Sequence, residues 1–398
     1  MSFSNKDKSK HGHNAQKSII DLLNFCKNNN YIKSFRVNYR IGKEGYINNE
    51  QFYAPFIIKF LDDKEWIIFS TTSMRSDRIK GQQWDAFNIK EINKQVEKAF
   101  LIYSDDVDEK ESFLFARQNN KYILKEEVTA INEILNQSNL YKQIEQKALF
   151  DYNDGFKKNM QGLTFEKIIS LILSNSDNLK KYKEKDKTIT GLNYPYFYKI
   201  ISKIDIKPEE IKFIDATSNE SEIGKLPSGG KPKTDIILKI NKLNNESIIL
   251  TINCKRTSAK NVTVHEYKAE SFVSVLSPQN KELKNLLQIF QENPTLSSFG
   301  EDNKRRLTSI LKPLKEKLAK WVIGGVCGNG FLNKQWSSHI LTFDNNTSMI
   351  YFYTIDEYID LLDKHNICGH FGTHFLWTYP SKKKGKAIQL KCKIISEI

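Results

Sequence analysis

The stretch "GGKPKTDIILKINKLNNESIILTINCKRTS", residues 229–258, carries the densest chemistry in the chain. It reads as a glycine turn, a strand headed by Asp235, a polar turn and a second strand ending in Asn253, Cys254 and Lys255. Alternate side chains of a strand share a face, so Asn253 and Lys255 point one way and Cys254 the other. The Cys254 backbone carbonyl is then free to join the Asp235 carboxylate as a second oxygen ligand for a hard cation such as Mg²⁺. Phosphodiester hydrolysis needs a cation on the phosphate, an activated water and relief of transition-state charge. Lys255 would orient or deprotonate that water, or stabilise the developing charge. Burial beside a cation lowers a lysine's pKa, which opens the base role.

What positions these groups must be read from the rest of the 398 residues. Lysines and arginines exceed acids by fourteen, which favours a polyanionic partner, here nucleic acid. No apolar run is long enough for a membrane span, and the polar start lacks a signal-peptide core, so a cytoplasmic protein with no membrane partner is expected. Five scattered cysteines form no CxxC pair, which argues against zinc ribbons and disulfide frameworks. "CGHFGTH" reads as a loop with incidental histidines. "SGGKPK" lacks the Walker signature, so no nucleotide cofactor is expected. Its glycines would instead let backbone amides approach a DNA phosphate, with Lys231 and Lys233 adding charge.

Helical spacing from Ala15 predicts a first helix and leaves residues 1–14 as a flexible tail. "YIKSFRVNYRI", "FYAPFIIKFL" and "KEWIIFSTTS" read as strands, and a domain boundary is placed near residue 147. This gives an accessory domain over 15–147 and a second domain over 148–398. In the second, "TFEKIISLILSNSDNLKKY" reads as a helix and "VTVHEYKAESFVSVL" as another. Charged helices follow, and strands close the chain. Alternating helices and strands give an α/β or α+β class. The segment "FIIKFLDDKEWIIFSTTSMRSDRIKGQQWDAF" has the rhythm of the 229–258 hairpin without its acid or lysine. It reads as a degenerate relative of the second domain or as a coincidence between two ordinary hairpins. Arg75, Arg78 and Lys80 within it are candidate DNA contacts, with Trp84 as a core anchor.

An aspartate followed on the next strand by residue-X-Lys resembles the PD-(D/E)XK nuclease motif, with Asn253 where most members carry an acid. That replacement resembles the MspI family of type II restriction endonucleases, whose set is Asp…Asn-X-Lys. "TFEKIISLI", "NCKRTSAKNVTVHEY", "RRLTSILKPLKEKLAKW" and "FGTHFLWTYPSKKKGKAIQLK" resemble family segments in the same order, from about residue 149 to the end. The resemblance implies a restriction-endonuclease-like core, a mixed sheet flanked by helices, with an extra N-terminal α/β domain. It implies Mg²⁺-dependent cleavage of double-stranded DNA leaving 5′-phosphates, at CCGG cut as C^CGG, within a restriction-modification system. Asp235, Asn253 and Lys255 would be catalytic, with one or two metal ions held by Asp235, the Cys254 carbonyl and, as a further candidate, Glu166. Thr263, Thr378, Ser381, Gln389 and Lys391 match positions near the bases, and the protein would act as a monomer or homodimer.

Taken by its residues, the C-terminal segment fits that role. A lysine pairs with guanine O6 and N7, and a glutamine offers both donor and acceptor. Gln389 and Lys391, on an apparent strand, therefore suit base edges, while Lys382 to Lys384 read as a solvated run on phosphates. Asp215 in "FIDATSNE" is a possible helper acid or a simple turn residue. The alternative to an enzyme is a non-catalytic sequence-specific DNA-binding protein with the nuclease fold.

Overall fold

Aromatic and β-branched residues fill "FYAPFIIK" and "EWIIFS", and both become strands with almost every central residue buried. The computed structural model describes residues 5–42, 50–73, 75–107, 109–123, 130–381 and 383–395. They divide into two units, Met1–Thr164 with Ile172–Tyr198, and Phe165–Leu171 with Lys199–Ile398.

The first unit begins with helix α1 (Asn5–Asn28) and strands β1 (Ser34–Ile41), β2 (Phe52–Lys59) and β3 (Glu65–Ser70). Helix α2 (Ser76–Ile92), β4 (Val96–Tyr103), α3 (Glu109–Tyr122), β5 (Glu133–Asn136) and α4 (Gln137–Ala148) follow. The sheet order is β1-β2-β3-β4-β5; the first two pairings are antiparallel and the last two parallel. Trp66 packs edge-on against Phe60 and Phe100, with centroids 4.5 and 5.2 Å away.

Three expectations change here. Residues 5–14 are helical rather than a flexible tail: Asn14 donates to the Thr188 carbonyl at 2.8 Å and Ala15 is buried, which ties down this half of α1. Residues 1–4 lie outside the described residues. The division falls beyond residue 147, because residues up to 164 and from 172 pack with the first unit. Thr164 hydrogen-bonds Tyr31 at 2.7 Å, and Lys181 pairs with Asp106. Trp84 is no core anchor, being 63% exposed on the outer face of α2, whose buried side is Ile79, Ala86 and Ile89.

Helix α5 (Asp154–Ser174) gives Phe165–Leu171 to the second unit. There β6 (Ile211–Thr217), β7 (Ile236–Lys242) and β8 (Ser247–Thr257) form an antiparallel meander. After β9 (Asn261–Tyr267) and a run of helices, β10 (His339–Asp344) lies parallel to β8, and β11 (Met349–Thr354) lies antiparallel to β10. Strands β12 (Leu376–Thr378) and β13 (Ile388–Lys393) join β9 in a separate sheet ordered β12-β13-β9. Residues 262–276 were expected to be one helix, but the helix covers only Ala269–Leu276. "NVTVHEY" is rich in β-branched and aromatic residues and pairs with β13. Phe272, Phe290, Trp321, Trp377 and Leu390 meet in one core beneath the small sheet. The whole is a mixed α/β architecture of sheets flanked by helices.

Candidate active site

The turn between β7 and β8 sets the hairpin's register. Lys242 N–H donates to the Glu246 carbonyl at 2.8 Å, and Asn245 adopts φ 67°, a conformation asparagine tolerates better than most residues. From this turn the ladder runs to Ile236 opposite Ile252, and Asp235 continues it by donating its N–H to the Ile252 carbonyl at 2.8 Å. Asp235 thus heads β7 beside the residues that end β8.

Its Oδ2 accepts the Cys254 N–H at 2.7 Å and lies 3.7 Å from Lys255 Nζ. The same ammonium donates to the Cys254 carbonyl at 2.9 Å. One cationic group therefore touches both oxygens that the sequence assigned to a metal. The Cys254 thiol is buried, and burial raises its pKa well above the usual thiol range, so this residue offers its backbone and not a nucleophile.

Asn253 is fully buried, and its Nδ2 donates to the Ile323 carbonyl at 2.6 Å. That carbonyl lies in the terminal turn of the Lys320–Gly324 helical segment, where carbonyls lack in-helix donors. Asn253 Oδ1 is left buried without a hydrogen-bond partner. Glu166, on α5, is pushed up to about 8, first by burial and then by the charge of Asp235, with Lys255 opposing. Two carboxylates crowded together beside a main-chain oxygen form a hard donor set that a divalent cation would relieve. Among the described residues no three His, Cys, Asp or Glu side chains cluster to hold a metal, so a cation here would have to rely on Asp235, the nearby Glu166 and the Cys254 carbonyl.

The predicted reading residues also come together. Thr378 lies opposite Gln389, and Lys391 opposite Thr263, with a register shift after Leu390. Ile388, Leu390 and Cys392 alternate with them and face the core. Thr263, Thr378, Gln389 and Lys391 therefore occupy the polar face of the small sheet. Ser381 is exposed in the turn between β12 and β13, and Lys382 lies outside the described residues. Only Ser258, Ala259 and Lys260 separate β8 from β9, so the strand carrying Asn253 and Lys255 leads directly into the small sheet.

Of the two lysines expected on a DNA phosphate, one turns away from that role. Lys231 is exposed and paired with Glu220 at 3.2 Å. Lys233, expected on a DNA phosphate, turns inward and donates to the Val264 carbonyl of β9 at 2.5 Å. Burial, with Lys255 nearby, pulls its pKa down to about 7. It lines a cavity of about 130 Å³ whose walls include Tyr267, Trp321 and Trp336. Nothing in the local sequence distinguished this lysine from Lys231. Asp215 is exposed on β6 opposite Lys239, and among the described residues no hydrogen bond or ion pair joins it to the trio.

A carboxylate heading one strand and an amide and amine ending its neighbour, on a mixed sheet flanked by helices, define a nuclease of the PD-(D/E)XK class. Within that class the chain belongs to the family described as restriction endonuclease MspI, which matches residues 140–392. It is 28% identical to the type II restriction enzyme BsuFI of Bacillus subtilis over 98% of this chain and 99% of that protein. The type II restriction enzyme MspI of Moraxella sp. is 28% identical over 64% of this chain and 97% of its own length. The crystal structure of MspI in complex with its cognate DNA matches with a TM-score of 0.54 at 25% identity, again over 64% of this chain and 97% of that one.

Proposed function

We propose that the protein is a Mg²⁺-dependent type II restriction endonuclease of a cytoplasmic restriction-modification system, hydrolysing double-stranded DNA at CCGG as C^CGG to leave 5′-phosphates. The observation that carries the reading is the cluster of Asp235 Oδ2, Lys255 Nζ and the Cys254 carbonyl, all within 3.7 Å of the lysine nitrogen. Asp235 and the Cys254 carbonyl would hold the metal, with Glu166 as the further acid that could join them. Bound Mg²⁺ supplies positive charge at the scissile phosphate. Lys255 would orient the attacking water and offset charge on the phosphate oxygens as the bond to the 3′-oxygen breaks. Asn253, pinned on Ile323, fixes the end of β8 so that Lys255 keeps its place. Thr263, Thr378, Gln389 and Lys391 read base edges, with Ser381 at the rim of their sheet. Either a monomer or a homodimer satisfies this scheme.

Unmethylated plasmid incubated with Mg²⁺ tests it. Wild type should give discrete fragments, Asp235→Ala none, and sequenced ends should show CCGG and a 5′-phosphate. Ends at another sequence would overturn the site alone. Specific binding with no cleavage by wild type would replace the enzyme with a non-catalytic DNA-binding protein.

A further inference from the structure

The two large sheets repeat one plan. In the first unit β1, β2 and β3 form an antiparallel meander with β4 parallel to β3; in the second, β6, β7 and β8 do the same with β10. The central hairpins agree residue by residue. Phe60 N–H donates to the Lys64 carbonyl at 2.9 Å around Asp63 at φ 62°, as Lys242 does to Glu246 around Asn245. Phe56 pairs with Ile68 as Leu238 pairs with Leu250, each the same distance from its turn. Counted from the turn, Tyr53 stands at the place of Asp235, Thr71 at Asn253 and Ser73 at Lys255. Tyr53 donates its hydroxyl to Asn38 at 2.9 Å, and Thr71 Oγ1 donates to the Ser73 carbonyl at 2.7 Å. Neither an anionic ligand nor an amine occupies any of the three places, so this hairpin has lost the groups that the hydrolysis uses.

Positive charge remains. Helix α2 follows the silent hairpin directly; Lys80, Trp84 and Phe87 lie on its outer face, the last two 63% and 52% exposed, and Arg78 is exposed in its first turn. The carboxylates of α2 are engaged: Asp77 pairs with Arg75 at 2.8 Å, Glu91 with Lys94 at 2.9 Å, and Asp85 accepts from the Tyr53 backbone. Among the described residues the side chains of Arg78 and Lys80 have no ion pair or hydrogen bond, while the Arg78 backbone N–H donates to the Asp77 carboxylate. A free cation one turn from an exposed aromatic ring, as Lys80 is from Trp84, with Arg78 exposed near the helix start, suits phosphates and the sugars and bases next to them, and the net charge of +14 points the same way.

We propose that the first unit is a catalytically silent repeat of the nuclease core that grips duplex DNA through Arg78, Lys80 and Trp84 of α2. This rests on DNA being the substrate, and the test separates the two claims. Full-length wild type, Arg78→Ala/Lys80→Ala and Trp84→Ala are titrated in EDTA with a duplex lacking CCGG, across a range of salt. The double variant should bind about tenfold more weakly at moderate salt. Its slope of log affinity against log salt should be shallower by about two, close to one unit for each lost phosphate contact. Trp84→Ala should weaken binding without changing the slope. Unchanged affinity and slope in both variants overturn the proposal. So does a change confined to sedimentation, which would assign the stripe to a second copy of the chain. If wild type fails to cut plasmid while the variants still lose affinity, the enzyme reading falls and the grip stands.

Discussion

An ammonium group that touches both a carboxylate and a main-chain carbonyl occupies the point where charge must be managed during hydrolysis. Lys255→Ala removes that group without altering the backbone oxygens, so cleavage should fall by about 10²–10⁴-fold while specific DNA binding in Ca²⁺ is kept. Equal loss of binding and cleavage would make the lysine structural. Asn253 gives a sharper test, because most relatives of the wider class carry an acid there. Asn253→Asp replaces the donor on the Ile323 carbonyl with a buried carboxylate facing it. Stability in metal-free buffer should drop by roughly 1–3 kcal/mol, read from urea unfolding. An unchanged midpoint would show that the Ile323 contact is unimportant. That Asp235 and Lys255 meet was legible because residue type and strand position are local. The Ile323 contact was not, since it joins residues 70 apart in sequence, and neither was Lys233, whose partner lies on another strand.

At the scale of elements, the hairpin and the reading sheet are one continuous piece of chain, and the sequence revealed its two halves unequally. "DIILKI" and "SIILTI" are bounded by clear turn residues and were placed as strands. "VTVHEY" was absorbed into the helix that follows, because its strand character depends on pairing with β13, more than a hundred residues away. Once that pairing exists, Thr263 and Lys391 become neighbours, and Gln389 lies between Thr378 and Glu266. Gln389 alternates with core residues Ile388 and Leu390, so its truncation removes polar reach and leaves the packed face intact. Gln389→Ala should therefore cost about 1–3 kcal/mol of discrimination between cognate and single-substituted sites, with non-specific affinity unchanged. Competition binding across a set of substituted duplexes measures it. A uniform loss over all sequences would take Gln389 out of base reading.

At the scale of the whole molecule, the chain holds two sheets of shared plan, and a half-buried acid in each unit faces different circumstances. The kinship of the sheets was visible in the sequence only as a rhythm, because it resides in turn geometry and register while the side chains have diverged. In the second unit Glu166 is crowded by the charge of Asp235, with Lys255 opposing. In the first, Asp105 follows β4 and accepts the Ser138 N–H on Oδ1 at 3.1 Å, but its Oδ2 is buried with no partner. Burial pushes Asp105 up to about 6, above the value of about 3.9 for an unfolded aspartate. Between those values the folded chain holds a proton that the unfolded chain releases, so stability from this group is full below about pH 4 and declines as pH rises to about 6. Asp105→Asn keeps an oxygen for Ser138 and removes the titration. Urea midpoints of the variant should lack that decline and lie above wild type from pH 6 upward. Parallel pH profiles for the two proteins would mean that Asp105 is solvated in solution and carries no such cost.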